Sequence, residues 1–137
     1  MIIADSKLVV ALLLDHPQQM KASRLYQADP DWHLPDWWQI EVANALRNFH
    51  RVGSLATADA LTAIDRTRAL VPNANTHPVD LRQTLLIACD ANISAYDARF
   101  TALARSFGRK LVTEDVRLRK ACPGDTLSLE DALALVP

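Results

Sequence analysis

Short apolar runs separated by longer amphipathic stretches set the rhythm of this 137-residue chain. Met1 to Ala4 is apolar and broken abruptly by Asp5-Ser6, which predicts a short buried strand. Leu8 to Leu14 is apolar almost all round, so a helix there is buried on most of its surface. Asp15-His16-Pro17 stops it, and Gln18 to Ala28 predicts a second, amphipathic helix with Met20, Leu25 and Ala28 inward. Beyond the turn Asp29-Pro30-Asp31, the segment Trp32-His33-Leu34 is a candidate strand ended by Pro35. Asp36, with Gln39 three residues on, predicts a capped helix to about Val52, closed by Gly53. Further helices are expected over Ser54 to about Leu70, Asp80 to Cys89, and Ser94 to Phe107, the last stopped by Gly108. Asn75 to Pro78 reads as a loop or a very short edge strand. Lys110 to Thr113 predicts a strand, Glu114 to Ala121 a short helix, and Thr126 to Ser128 a last strand before a helix ending at Leu135.

Strands that alternate with helices predict an α/β fold, a central parallel sheet of four to five short strands covered on both faces. The length suits one domain, residues 1–137, with its own core. Composition adds little: half the residues are apolar, and 15 basic against 16 acidic side chains leave no global attraction for nucleic acid. The local distribution says more. Between Arg99 and Lys120 lie seven basic residues and two acids, Glu114 and Asp115, a balance that suits an anionic ligand or a solvated face. Cys89 and Cys122 form no metal-ligand spacing and are expected as reduced thiols. His16, His33, His50 and His77 have no ligand spacing either. Asp5 interrupts the apolar start, and Leu8 to Leu14 is too short to span a bilayer, so the expectation is a cytoplasmic protein with no membrane role.

The acids change the picture. In an open parallel sheet, ligands bind beyond the carboxyl ends of the strands. Asp5 follows the first strand directly, and Asp115 lies two residues beyond the strand ending at Thr113. Asp97 opens the helix that leads into that strand, and Glu41 sits in the first two turns of the helix after the second strand. Each also has a structural account. Asp5 and Asp115 stand where a helix N-cap belongs, and Ser94 with Asp97 has capping-box spacing. Glu41 shares a polar stripe with Asn44 and Asn48 on an otherwise apolar helix. If the four converge, two carboxylates at about 4 Å repel by roughly 4 kcal/mol at an effective dielectric near 20. Either some protonate or a divalent cation neutralises them, and an all-oxygen donor set suits Mg²⁺ or Mn²⁺ better than zinc.

Four segments in this order carry a resemblance: Ile2-Ile3-Ala4-Asp5-Ser6, Glu41-Val42-Ala43-Asn44-Ala45-Leu46-Arg47, Ile93-Ser94-Ala95-Tyr96-Asp97-Ala98, and Leu111-Val112-Thr113-Glu114-Asp115. Together they resemble the PIN domain, and the chain as a whole is similar to the VapC-type toxins of bacterial toxin–antitoxin pairs. The resemblance implies a three-layer α/β/α sandwich and a metal-dependent endoribonuclease leaving 3′-hydroxyl and 5′-phosphate ends. It implies Mg²⁺ or Mn²⁺ held directly by Asp5 and Asp97, with Glu41 and Asp115 binding through water. Ser6, Thr113 and Asn44 would support that site, and Glu114 stands beside Asp115 as a possible substitute. Arg99, Arg105, Arg117 and Arg119 are candidates to hold the RNA backbone. The implied partners are RNA, a small antitoxin whose tail lies in an apolar groove, and a second copy of the chain.

Two other readings compete. A catalytically silent PIN-like binding module would act through a protein or RNA partner, and Trp32, Trp37 and Trp38 then offer a docking face rather than core. Aspartyl phosphotransfer needs a second acid close after Asp5, which Ser6-Lys7 does not supply.

Overall fold

Five short parallel strands form one sheet in the computed structural model, which describes residues 1–136. They are β1 (Ile2–Ala4), β2 (Trp32–Pro35), β3 (Thr76–His77), β4 (Leu111–Val112) and β5 (Thr126–Leu127), in the order β3-β2-β1-β4-β5. β1 is central: Ile3 pairs with His33 on one side and Leu111 on the other, and Ala4 pairs with Val112. Ile3, Ala4, Leu34, Leu111 and Val112 are all buried, which is why these strands read as wholly apolar rather than alternating. The chain winds outward from β1 through β2 to β3, then returns to the other side of β1 for β4 and β5. The strand order therefore reverses between β1 and β4, the position where open α/β sheets form their ligand crevice.

The helices are α1 (Ser6–Leu13), α2 (Gln19–Ala28), α3 (Trp38–Arg51), α4 (Thr57–Leu70), α5 (Leu81–Ala91), α6 (Ala95–Ser106), α7 (Val116–Ala121) and α8 (Leu129–Leu135). α1 packs among α2, α3 and α4 and is buried at Leu8, Val9, Val10, Ala11 and Leu13, as its all-round apolar surface demands. α6 lies against β1, β2 and β4 with α5 packed on it. That placement buries seven consecutive residues, Ala98 to Ala104. The layered sandwich expected from the alternating pattern is the fold observed. Gly53 and Gly108, at φ 79° and 60°, follow the ends of α3 and α6 in the left-handed conformation that a helix stop requires.

Several local expectations need correction. α3 does not begin at a capping box on Asp36: its cap is Trp37, at φ 67°, with no side-chain hydrogen bond. The reason is that Asp36 belongs to the sheet edge, donating its N–H to the His77 carbonyl at 2.7 Å, so the chain turns one residue later. α4 starts at Thr57 behind Ala56, not at Ser54. On α2, Met20 and Ala28 face solvent, while Ala22 and Leu25 make the contact. The tryptophans divide. Trp32 and Trp38 are fully buried, Trp38 donating Nε1–H to Thr76 Oγ1 at 3.0 Å, whereas Trp37 is 69% exposed.

Candidate active site

Asp5 is delivered by the last residue of β1. Its backbone N–H donates to the Val112 carbonyl at 3.0 Å, fixing it at the β1–β4 crevice. Its carboxylate caps α1 by accepting the Lys7 N–H at 3.0 Å, and its other oxygen accepts from Thr113 Oγ1 at 2.5 Å. The side chain is buried, and loss of hydration pushes its carboxyl above the ordinary range against those hydrogen bonds. Ser6 links it to Glu41: the Ser6 hydroxyl lies 2.6 Å from Glu41 Oε2 and 3.4 Å from Asp5 Oδ1.

Glu41 sits in the first turn of α3. Its Oε1 receives Arg99 Nη2 at 2.5 Å, and Arg99 Nη1 donates to the Asp36 carbonyl. Burial raises the Glu41 carboxyl too, opposed by the Ser6 and Arg99 contacts. Asp97 is exposed on the first turn of α6, where Ser94 donates to its carboxylate at 2.9 Å and accepts the Asp97 N–H at 3.1 Å. Asp115 caps α7, its Oδ1 accepting from the N–H groups of Arg117 and Leu118. Its Oδ2 takes Lys7 Nζ at 2.6 Å, and this bond holds the Asp115 carboxyl below the usual range. Asp97 and Asp115 line one cavity of about 360 Å³, with Arg117 on its wall.

Of the four acids named from the sequence, Asp5 and Glu41 are thus joined through Ser6, Thr113 steadies Asp5, and Asp97 and Asp115 share a separate cavity, with Lys7 spanning from the first turn of α1 to Asp115. Asn44 is exposed one turn beyond Glu41 and Asn48 a further turn on. Glu114 turns away: its Oε1 accepts the Leu129 N–H at 2.6 Å, at the start of α8. Arg99 is not on the surface as expected for an RNA-holding group, because α6 carries it inward to pair with Glu41. Arg105 is bound by Asp125 through two hydrogen bonds of 3.0 and 2.8 Å. Arg117 is exposed and Arg119 half-buried. Lys7 is the member that sequence reasoning missed. Nothing but its place two residues after Asp5, on the first turn of α1, could have marked it.

Among the described residues, no three His, Cys, Asp or Glu side chains stand close enough to hold an ion as placed. Each carboxylate rests on a protein partner instead. The donors still fit a hard divalent cation: all are oxygens, Asp5 is desolvated and lacks a full counter-charge, and an ammonium already sits among them, attracted by Asp115, Asp5 and Asp97.

A parallel α/β sheet whose strand order reverses beside acidic side chains defines a class of α/β proteins that bind ligands beyond the carboxyl ends of their strands. Within that class the chain belongs to the PIN domain family, whose profile matches residues 2–122. It is similar to ribonuclease VapC9 of Mycobacterium tuberculosis, at 32% identity over 137 residues, covering 100% of this chain and 99% of that protein. It is also similar to ribonuclease VapC3 of Pyrobaculum aerophilum, 26% identical over 124 residues, covering 89% of this chain and 95% of the relative. The crystal structure of PAE2754 from Pyrobaculum aerophilum shares the fold, with a TM-score of 0.71 at 21% identity, covering 96% of this chain and 85% of that one.

Proposed function

We propose that this chain is a ribonuclease that hydrolyses RNA phosphodiester bonds with a divalent cation, and that it is the toxin of a toxin–antitoxin pair. The observation that carries the reading is the Asp5–Ser6–Glu41 linkage beside the cavity of Asp97 and Asp115, in a PIN domain whose full-length relatives bear ribonuclease names. Asp5 and Asp97 would hold Mg²⁺ or Mn²⁺ directly, with Glu41 and Asp115 reached through water. A bound cation would supply Lewis-acid stabilisation of charge on the phosphate. Glu41 orients and deprotonates the attacking water. Ser6 and Arg99 fix its carboxylate, and its burial-raised affinity for a proton suits that role. Thr113 holds the Asp5 carboxylate in place. Arg117, exposed on α7 and on the wall of the cavity that Asp97 and Asp115 line, would meet the RNA backbone, and Arg119, half-buried on another face of α7, is the lesser candidate.

RNA incubated with Mg²⁺ or Mn²⁺, with and without chelator, tests the reading on the wild type and on Asp97→Asn. Cleavage lost in both controls is expected; cleavage that survives them removes the proposal.

Trp37, Ile40, Leu81 and Tyr96, all exposed, line a cleft of about 610 Å³ whose floor is Glu41 and Arg99. Leu85 and Leu86 extend the exposed apolar side chains along α5. Such a surface marks a protein interface, and we assign it to the proposed partners, the tail of a small antitoxin protein or a second copy of the chain. Among the described residues no helix is long and apolar enough to cross a membrane, and a cytoplasmic site of action goes with the proposed substrate. Co-expression with the neighbouring small gene is expected to yield a complex.

A further inference from the structure

We infer that Lys7 is a resident cation of the acid cluster, holding the one uncommitted oxygen of Asp115, so that ammonium and divalent ion compete for the same carboxylate. The inference rests on the metal-binding reading of the site. Asp115 Oδ1 is spent on the N–H groups of Arg117 and Leu118, at 3.0 and 3.1 Å, which it must hold to start α7. Only Oδ2 is left for a cation, and Lys7 Nζ occupies it at 2.6 Å. The arrangement is built from one turn of helix. Lys7 donates its main-chain N–H to Asp5, which fixes its Cα over the crevice, and its side chain then spans to Asp115 on the neighbouring strand's loop.

The two cations of the cluster differ in their freedom to leave. The Arg99 side chain is 10% exposed and tied to the Asp36 carbonyl as well as to Glu41. The Lys7 side chain is 63% exposed and has Asp115 as its one ion-pair partner among the described residues. Arg99 is therefore a permanent counter-charge, and Lys7 an exchangeable one. The metal-free cluster stays assembled because Lys7 offsets the mutual repulsion of its acids, and a divalent ion must displace that ammonium from Oδ2 to use Asp115.

Mn²⁺ binding to the full chain, followed by calorimetry and by the paramagnetic resonance signal of free Mn²⁺, tests this on wild type, Lys7→Met and Lys21→Met. Lys21 pairs with Glu130 on α8, away from the crevice, and controls for general charge. Lys7→Met is expected to bind Mn²⁺ about 1.5- to fivefold more tightly at low salt, the worth of an exposed ion pair. The gap should narrow as salt screens that pair, and Lys21→Met should match wild type. Equal or weaker binding by Lys7→Met overturns the inference and leaves the metal site standing; no binding by any of the three overturns both. In chains with ¹³C-methylated lysines, the Lys7 resonance should move on adding Mg²⁺, and a Lys7 signal indifferent to Mg²⁺ would also overturn the inference.

Discussion

Asp5 is asked to cap a helix, bridge two strands and remain an acid in a place that disfavours its charge. Neutralising it removes the desolvated charge while an amide oxygen can still accept the Lys7 N–H. Asp5→Asn is therefore expected to raise the thermal midpoint of the metal-free chain by a few degrees while abolishing RNA cleavage, a trade seen where stability has been given up for a site. Differential scanning calorimetry beside a gel assay reads both. Arg99 is the opposite case. Removing one partner of a fully buried ion pair costs about 3–5 kcal/mol. Glu41 keeps 30% of its side chain exposed, which discounts the expected loss for Arg99→Met to about 2 kcal/mol. Adding Glu41→Gln should restore part of it, measured as a double-mutant cycle in urea.

At the scale of elements, the start of α3 holds strain. Trp37 adopts a left-handed conformation that costs a bulky residue about 1 kcal/mol or more, and its exposed ring gains little packing in return. Trp37→Gly is expected to stabilise the single chain by about 0.5–1 kcal/mol in chemical denaturation. If the apolar cleft is an interface between copies, the same change weakens self-association in sedimentation equilibrium. The β2–β3 edge carries a pH dependence. His33 Nδ1 meets His77 Nε2 at 2.7 Å and its Nε2 meets Asp31 at 2.9 Å, with Phe107 packed on both rings. Burial first, and then His33, hold His77 below its ordinary pKa. A histidine depressed in this way stabilises fully above the unfolded value of about 6.5, and that stability is lost as pH falls through the lower folded value. The urea midpoint should drop from pH 7 to pH 5, and His77→Gln should flatten the drop.

These elements also show what a sequence can carry. β1, the all-round apolar α1 and the helix starts at Asp80 and Ser94 were legible because strand burial and capping are local. The choice between Glu114 and Asp115 was not, since both adjacent acids cap a helix and only the fold shows which one faces the crevice. Arg99 was misread as surface for the same reason. Its partners, Glu41 and Asp36, lie 58 and 63 residues away, and only the packing of α5 over α6 turns it inward. Trp37 was hidden because a hydrogen bond to a third strand moved the helix start.

For the molecule as a whole, the decisive feature is the pairing of the first strand with the fourth. Thr113 reaches Asp5 across 108 residues of chain, and Asp115 reaches Lys7 across the same separation. Contacts so distant in sequence carry a loop-closure cost and slow folding. Until β4 arrives, β1 has no partner on that side and its crevice has one wall. A growing polypeptide that has not yet reached Thr113 therefore has Asp5, Glu41 and Asp97 without the fourth acid or the hydroxyl that steadies the first. Ribosome-bound chains stalled before Thr113 are expected to leave nearby RNA uncut, while released full-length chains cut it, as primer extension on the translating complexes would read. The winding of the sheet withholds the complete site until the fourth strand has been made.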